Sequence, residues 1–304
     1  MRTRVIAITV GVVFLFGCSH TSSAVPQPKI VQSGQSHIDL SPDGSPRQYS
    51  NLHSFVGGSD GEFPQATVVK DASGNLYGAT LNGGGAANCG QFGCGVVFKI
   101  DVNGHETVLH SFNGPDGAGP AGLIVDGAGN LFGTAQAGGS SNYGVVFELD
   151  PSGNETVLHS FSGADGFDPG GGVIRDTAGN LYGTAVAGGS SNLGVVFEVK
   201  ANGHETALHS FNGTGGMFPN GGLVMNATGI LFGTTHRGGA TNHGVVFKID
   251  ANGHETVLHS FGGGTGAGKE PLAGLYRDAA GNLFGTTQLA GGPCSCGVVF
   301  ELSH

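Results

Sequence analysis

Short apolar runs alternate with glycine-rich polar turns along most of this chain, and the pattern recurs about every 50 residues. One unit, residues 169–211, contains four strand-length runs rich in β-branched and aromatic residues. Asp-x-x-Gly or Asn-Gly turns join the first run to the second and the third to the fourth, as tight hairpins require. The other two connections are longer, rich in glycine and variable between copies. The pattern therefore predicts four antiparallel strands in each unit.

The motif Leu-His-Ser-Phe marks the fourth run of each unit and occurs five times, with its histidine at His53, His110, His159, His209 and His259. A four-stranded unit of this length is too long for one coil of a β-solenoid and has the length of a propeller blade. The repeats begin with a lone fourth strand at 49–55 and end on a third strand at 297–302. Pairing of these two strands would complete the last blade and remove exposed sheet edges. We therefore predict an all-β fold, a five-bladed β-propeller with four antiparallel strands per blade, over residues 49–304.

The first 48 residues lack the repeat. Arg2 and Arg4 precede an apolar run that ends at Leu15-Phe-Gly-Cys18. This run is shorter than the roughly 20 residues that a membrane-spanning helix needs, so residues 1–18 are predicted to be a lipoprotein signal peptide with Cys18 as the lipid acceptor. An ordinary secretory signal peptide is the alternative. Residues 19–48, rich in Ser, Pro, Gln and Gly, predict a flexible tether.

These features predict an exported protein, either an outer-membrane lipoprotein or a protein on the cell surface of a bacterium. The formal net charge of −10, with only 12 Lys and Arg residues, argues against nucleic-acid binding, which needs clustered cations. It also argues against membrane contact other than through the lipid. No motif for a cofactor or a metal ion stands out, and we expect a monomer.

Four cysteines remain besides Cys18, and an even number in an exported chain favours disulfides. Cys89 and Cys94 lie in the same long loop of the first blade in which Cys294 and Cys296 lie in the last. We expect a bridge between these two blades, because a bridge from Cys294 to Cys296 would be strained. A local bridge from Cys89 to Cys94 is equally allowed, and a four-thiolate metal site is a third possibility.

The combination of Gly-Asn-Leu-Tyr/Phe-Gly-Thr, Gly-Val-Val-Phe-Lys/Glu and Leu-His-Ser-Phe resembles the Gloeo/Verruco (GloVer) tandem repeat, whose members are grouped as choice-of-anchor proteins. The resemblance extends from about residue 49 to residue 302. It implies export and surface display, with Cys18 as the anchor in this chain. It implies no activity and no catalytic residues.

Candidate ligand-binding residues are those that vary while the repeat frame stays fixed. The fourth blade concentrates polar donors in the loop between its second and third strands, at His236, Arg237 and His243. The equivalent loops of other blades contribute Gln136, Tyr143 and Gln288. Such loops converge on one face of a propeller, where ligands commonly bind. The alternative is that these surface residues vary between repeats without any function.

Two repeated sets of polar residues have simpler explanations. The Leu-His-Ser-Phe histidines are expected to pack with locally hydrogen-bonded rings. Acidic residues in the loops between blades, such as Asp60, Asp116, Asp165 and Asp168, are interpreted mainly as turn residues, although a shared cation or a sugar could bind near them.

Repetition of nearly identical units favours a surface-anchored, non-enzymatic binding or adhesion module for a glycan or protein, in which weak contacts add through multivalency. The first alternative is an enzyme acting on polysaccharide, which needs an asymmetric pair of carboxylates roughly 5 to 9.5 Å apart. The second is a purely structural protein of the envelope. The acids recur symmetrically and no hydrolase motif is present, so no catalytic residue is predicted.

Overall fold

Antiparallel sheets of four strands repeat along the chain in the computed structural model, which describes residues 49–304 except 86, 263, 265–266 and 291–295. The first sheet contains β1 (Glu62–Pro64), β2 (Val69–Lys70), β3 (Leu76–Asn82), β4 (Val96–Ile100) and β5 (Glu106–Ser111). The second contains β6 (Ala118–Val125), β7 (Leu131–Ala137), β8 (Val145–Leu149) and β9 (Glu155–Ser160). The third contains β10 (Val173–Arg175), β11 (Leu181–Ala185), β12 (Val195–Val199) and β13 (Glu205–Ser210).

The fourth sheet contains β14 (Val224–Met225), β15 (Leu231–Thr235), β16 (Val245–Ile249) and β17 (Glu255–Ser260). In the fifth repeat, β18 (Gly268–Lys269) pairs with β21 (Leu289–Ala290), while β19 (Tyr276–Arg277), β20 (Leu283–Thr286) and β22 (Val299–Leu302) form a three-stranded sheet. Two short 3-10 segments, Gly58–Asp60 and Ala87–Phe92, lie in loops. The paired strands are antiparallel, and in the second, third and fourth sheets each strand pairs with the next one in sequence. These sheets confirm the predicted all-β class and the four-stranded repeat. Residues Asn51–His304 form one compact unit.

A glycine beneath a phenylalanine ring explains the Leu-Tyr/Phe-Gly-Thr motif of the second strand. In the first sheet Gly78 pairs with Phe98 across β3 and β4, and an added Cβ on Gly78 would lie 2.5 Å from Cζ of Phe98. Only a residue without a side chain fits there. The same contact recurs between Gly133 and Phe147, Gly183 and Phe197, Gly233 and Phe247, and Gly285 and Phe300.

The phenylalanine of Leu-His-Ser-Phe joins each sheet to the next. Phe161, which follows β9 of the second sheet, packs edge-on against Phe197 of the third with ring centroids 5.1 Å apart. Both side chains are fully buried. A hydrogen bond also joins the third sheet to the segment that leads into the fourth. Thr184 Oγ1, on β11, donates to the carbonyl oxygen of Gly221, which precedes β14, at 3.2 Å. The hydrophobic core therefore runs from sheet to sheet.

The predicted hairpin turns are present. In the turn between β10 and β11, Asp176 Oδ1 accepts hydrogen bonds from the backbone N–H groups of Ala178 and Asn180 at 2.9 and 2.8 Å. These bonds satisfy the carboxylate within its own turn and hold the pKa of Asp176 below its usual value against the opposing effect of desolvation. Turn geometry therefore accounts for this Asp without a bound ion.

The closing strand expected at 49–55 is not formed in the structure. Among the described residues, β22 pairs with β20 alone, and its Val299 is 80% exposed where the equivalent Val246 of β16 is fully buried. The last residue of segment 49–55 nevertheless makes the ring contact that joins each sheet to the next in the other repeats. Phe55 packs edge-on against Phe98 at 4.9 Å, as Phe161 does against Phe197.

Cys89 and Cys94 form a disulfide with their Cα atoms 5.2 Å apart, within the usual range. The expected bridge between the first and last repeats is therefore wrong for these two cysteines, and the local alternative is confirmed. The 3-10 segment Ala87–Phe92 turns the chain back so that Cys89 meets the buried Cys94. Cys296 is exposed, and Cys294 lies outside the described residues.

The predicted signal peptide, its Cys18 and the tether 19–48 also lie outside the described residues. Within the part of the chain that the structure describes, no helix has the length and apolar character needed to cross a membrane.

Candidate functional site

Two kinds of connection meet at one end of the sheets, here called the loop face. They are the loops from the second to the third strand and the loops that lead into the next sheet. The residue before the first proline of each repeat connects them. Asp168 N–H donates to the carbonyl oxygen of Tyr143 in the preceding sheet at 3.1 Å, and its own carbonyl oxygen accepts from Val186 N–H at 3.1 Å. This residue therefore joins two successive sheets.

We call Phe63, Gly119, Asp168, Phe218 and Glu270 the rim residues. Each precedes a proline, and all have φ between 57° and 64°. This left-handed conformation is unfavourable for residues other than glycine, and strained residues of this kind cluster at ligand sites. The rim residue differs in every repeat except that Phe occurs twice, so the same backbone presents different chemistry around the loop face.

A polar cluster lies on the loop face between the fourth and fifth repeats. Arg237 Nη2 lies 2.7 Å from Oε1 of the rim residue Glu270, whose side chain is 12% exposed. Glu270 N–H donates to the carbonyl oxygen of His243 at 2.9 Å, and its carbonyl oxygen accepts from Gln288 N–H at 3.1 Å. We call His236, Arg237, His243 and Glu270 the Arg237 cluster.

Both histidines of the Arg237 cluster have a buried ring nitrogen without a partner. The Nδ1 atoms of His236 and His243 are buried and make no hydrogen bond. Desolvation lowers the pKa of His236; the Glu270 carboxylate opposes this shift, and Arg237 adds to it. The neutral imidazole is therefore favoured, and it can either donate or accept a hydrogen bond.

A second polar group lies two repeats earlier on the loop face. An added Cβ on Gly170 would lie 3.2 Å from Nε2 of Gln136 and 3.7 Å from both Asp168 Oδ1 and Asn220 Oδ1. Desolvation by burial raises the pKa of Asp168. Tyr143 packs against Phe167 with ring centroids 5.3 Å apart and remains 39% exposed.

The structure thus brings together four of the six residues predicted from the sequence, namely His236, Arg237, His243 and Gln288. It places Gln136 and Tyr143 in another part of the same face, beside Asp168. Ligand binding by these six residues stays a prediction. Asn220 was missed, because nothing in its Pro-Asn-Gly context distinguishes it from a turn residue.

Among the described residues, three further clusters lie where the Leu-His-Ser-Phe segment of one unit meets the outer strand of the next, and we call them the seam clusters. Each cluster contains a Leu-His-Ser-Phe histidine and an aspartate from the loop that follows it. Opposite these two lies a glutamate, the first residue of the outer strand of the next unit. Their ligating atoms lie within 4.8 Å of one another in the sets His53, Asp60 and Glu106; His110, Asp116 and Glu155; and His159, Asp165 and Glu205.

Within each seam cluster the histidine Nε2 lies close to the aspartate. These distances are 2.9 Å for His53 and Asp60, 3.2 Å for His110 and Asp116, and 2.9 Å for His159 and Asp165. The predicted local hydrogen bonding is confirmed for these three histidines but not for His209, whose buried Nε2 has no hydrogen-bond partner. The predicted packing is seen, for example, where His159 meets Phe161 edge-on at 4.8 Å.

The glutamates of the seam clusters were missed. Each stands four residues before the histidine of its own unit, but it meets the histidine of the preceding unit. Desolvation raises the pKa of Glu155 to about 7, with His110 opposing this shift and Asp116 adding to it. Desolvation likewise raises the pKa of Glu205 to about 7, and Asp165 adds to this shift.

Several solved structures are similar to this chain at low identity. A gluconolactonase from Xanthomonas campestris has 15% identity and a TM-score of 0.48, with 80% of this chain and 77% of that chain covered. A putative gluconolactonase has 14% identity and a TM-score of 0.46, with 79% of each chain covered. A catalytically inactive virginiamycin B lyase from Staphylococcus aureus, solved with quinupristin, has 13% identity and a TM-score of 0.48, with 78% of this chain and 69% of that chain covered.

No curated protein matches the chain. The family model of the Gloeobacter/Verrucomicrobia repeat matches residues 38–174 and 85–300. These two segments together span the sheets and loops described above. The chain therefore belongs to the Gloeobacter/Verrucomicrobia repeat family.

Proposed function

We propose that this protein is a surface-displayed binding module that recognises a glycan through the loop face. The observation that carries the proposal is the Arg237 cluster. One rim position there combines a guanidinium, a carboxylate and two imidazoles on a backbone frame that every repeat shares. Planar polar groups of this kind donate to and accept from hydroxyl groups, and buried polar atoms without partners favour a ligand that supplies them.

The arrangement of the frame supports multivalent binding. The loop face repeats one backbone geometry, but the chemistry of its rim changes from Phe63 to Asp168 to Glu270. A chain of sugars could contact several rim positions at once, and weak contacts linked in this way gain strength through effective concentration. The protein would then bind a repeating polymer better than its monosaccharide.

A closed, five-bladed propeller is the architecture that we propose for this module. The fully buried valines equivalent to Val299 lie beneath an outer strand of their own sheet, whereas β22 lacks one. A cavity of about 590 Å³ borders β22 and is lined by His259, Phe261 and Val299 among other residues. Residues 49–55 repeat the outer-strand sequence and are the segment that we expect to pair there.

A cysteine pair tests this closure. In the complete fourth sheet Lys248 pairs with Thr256, and the equivalent pair in the last repeat would be Glu301 with Ser50. The variant Ser50→Cys/Glu301→Cys is expected to form a disulfide within one chain, detected by peptide mapping. Absence of this bridge under oxidising conditions, with each single cysteine variant folded, would refute closure by this segment.

Surface display rests on Cys18, and we propose that this residue carries the lipid. Metabolic labelling with a fatty acid is expected to label the wild-type protein. The variant Cys18→Ala should remain unlabelled and leave the membrane fraction. A labelled Cys18→Ala protein would contradict this assignment.

A dense glycan array with the full-length protein tests the proposed ligand class. The variant Arg237→Gln is expected to lower binding at least tenfold, because it removes the charge that faces Glu270. The matched control is Lys200→Gln, which removes a cation from the hairpin turn between β12 and β13, at the opposite end of the sheets. Equal binding by Arg237→Gln and wild type, or no bound glycan at all, would overturn the proposal.

The same array distinguishes a polysaccharide-cleaving enzyme from a binding module. Asp168 is a carboxyl group on the loop face whose pKa is raised by burial, and this feature favours such an enzyme, since a general acid needs a raised pKa. Loss of arrayed glycan mass that depends on Asp168 would establish the enzyme. Retained mass with selective binding would establish the binding module.

A further inference from the structure

The seam clusters share no residue with the rim residues or the Arg237 cluster, and they combine ligand types that metal sites use. Each offers one imidazole nitrogen and oxygens from two carboxylates, all within 4.8 Å. The histidine and aspartate come from one unit, and the glutamate comes from the outer strand of the next. In the second cluster, for example, His110 and Asp116 face Glu155.

The hydrogen-bond donors within a seam cluster do not suffice for its two carboxylates. The histidine Nε2 is placed against the aspartate, at 3.2 Å for His110 and Asp116. One oxygen of the facing glutamate is left without a donor: Oε1 of Glu106, of Glu155 and of Glu205 is buried and accepts no hydrogen bond. A buried carboxylate oxygen without a donor is costly, and the glutamate carboxylate also lies near the carboxylate of the aspartate.

A cation among the three groups would give the unpartnered glutamate a positive partner. It would also offset the repulsion between the two carboxylates. We propose that each seam cluster binds one divalent transition-metal cation, of which Zn²⁺ is the representative, through the histidine Nε2 and one oxygen from each of the two carboxylates. The histidine then offers its Nε2 lone pair to the metal in place of a proton to the aspartate. Water would occupy the fourth position of a tetrahedral site.

The donor set and its spacing favour this class of ion. Zinc accepts nitrogen and oxygen ligands at about 2.0–2.2 Å, which places tetrahedral ligand atoms roughly 3.3–3.6 Å apart. The distances between the histidine nitrogen and the aspartate oxygen, 2.9 to 3.2 Å, need to widen by only a few tenths of an ångström. Calcium prefers six to eight oxygen ligands, and an imidazole with two carboxylates is a poor match.

The fourth seam lacks one ligand and provides a natural comparison. His209 Nε2 lies 3.4 Å from Glu255 Oε2, but Gly215 stands where the other repeats have aspartate. An added Cβ on Gly215 would meet the carboxylate of Glu255, the movable end of a flexible side chain. The backbone there has no left-handed φ, so an aspartate can be introduced.

A bound ion would tie successive sheets together, because its ligands come from two units. We therefore expect the metal to raise the melting temperature of the protein, since a ligand that binds only the folded state stabilises it. This role concerns the seams alone and does not depend on a glycan at the loop face.

Metal content measures the proposal directly. Untagged full-length protein is dialysed against EDTA, then against a small excess of Zn²⁺ at neutral pH, and bound zinc is counted by elemental analysis. We expect about three ions per chain, one for each seam cluster. The variant Glu155→Gln should lose one ion, and Gly215→Asp should gain one. The matched control Glu255→Gln, at the incomplete seam, should keep the wild-type number.

A second measurement guards against variants that misfold. Circular dichroism must match that of wild type, and Co²⁺ in place of Zn²⁺ should give the visible absorption of a tetrahedral site, reduced by about a third in Glu155→Gln. Failure of the wild-type protein to retain zinc overturns the proposal. Zinc content that stays the same in both Glu155→Gln and Gly215→Asp also overturns it, because the ions would then bind elsewhere, such as at the exposed His105 and His254.

Discussion

Replacing Gly78 with alanine tests whether the glycine of the Leu-Tyr-Gly motif is required by the ring that lies over it. The three atoms nearest to an added Cβ all belong to the ring of Phe98, at 2.5, 2.9 and 3.2 Å. Contacts below 3.0 Å do not occur in ordinary packing, so the ring must move. Phe98 is 3% exposed and is held by Phe55 at 4.9 Å, so it has little room.

Overpacking of a tight core costs about 1–3 kcal/mol. In a domain of this size each kcal/mol corresponds to a fall in Tm of roughly 2–4 °C. Gly78→Ala is therefore expected to lower the urea midpoint and the Tm of the full-length protein by an amount that is easily measured. Gly127→Ala is the matched control, because no atom lies within 4 Å of its added Cβ and its φ is not left-handed.

A double-mutant cycle identifies the cause. Phe98→Ala alone should cost about 3–5 kcal/mol through the cavity that it leaves. Once the ring is gone the alanine at residue 78 meets no obstacle, so Gly78→Ala/Phe98→Ala should be no less stable than Phe98→Ala. Additive losses of stability, or a Gly78→Ala protein as stable as Gly127→Ala, would refute the steric explanation.

Two further predictions concern the disulfide and the buried rim carboxylate. Peptide mapping of the native protein should find Cys89 linked to Cys94, and Cys89→Ser should lose about 2 kcal/mol of stability, the chain-entropy value for so short a loop; a bridge from Cys89 to Cys294 would contradict this. Burial raises the folded-state pKa of Asp168, so its ionised form costs stability above that pKa and the cost vanishes below the unfolded value. Asp168→Asn, which also tolerates the left-handed φ, should therefore raise the Tm at pH 7 but not at pH 3, and equal shifts at both values would refute the assignment.

Strand positions and turns were predictable because they depend on neighbours in sequence. The strand-length run from Leu181 to Ala185 and the Asp176 turn are local patterns, and both appear in the structure as predicted. The disulfide required a choice between a local and a distant partner. Sequence left that choice open, since it depends on how the loop at 87–92 folds back toward Cys94.

Contacts between repeats were harder to predict, because each residue meets a partner about one unit away. Glu155 is four residues from His159 in sequence, yet the structure places it against His110 of the preceding unit. The motif Glu-Thr-x-Leu-His-Ser carried the signal in every copy, but only the stacking of sheets shows which glutamate meets which histidine. The same limit applies to residues 49–55, whose outer-strand sequence predicts pairing with β22 that the structure does not contain.

The seam residues recur from repeat to repeat, whereas the rim residues vary. This difference indicates two different roles. His159, Asp165 and Glu205 occupy a seam whose chemistry recurs in three copies, as expected for groups that hold successive sheets together. The rim positions keep their left-handed backbone while their side chains change from Asp168 to Phe218 to Glu270, as expected for groups that distinguish parts of a ligand. Damage to a seam cluster should therefore lower stability with little change in ligand selectivity. Changes at the Arg237 cluster should alter ligand selectivity, and the loop face should keep its shape, because the backbone bonds that form it do not involve the guanidinium of Arg237.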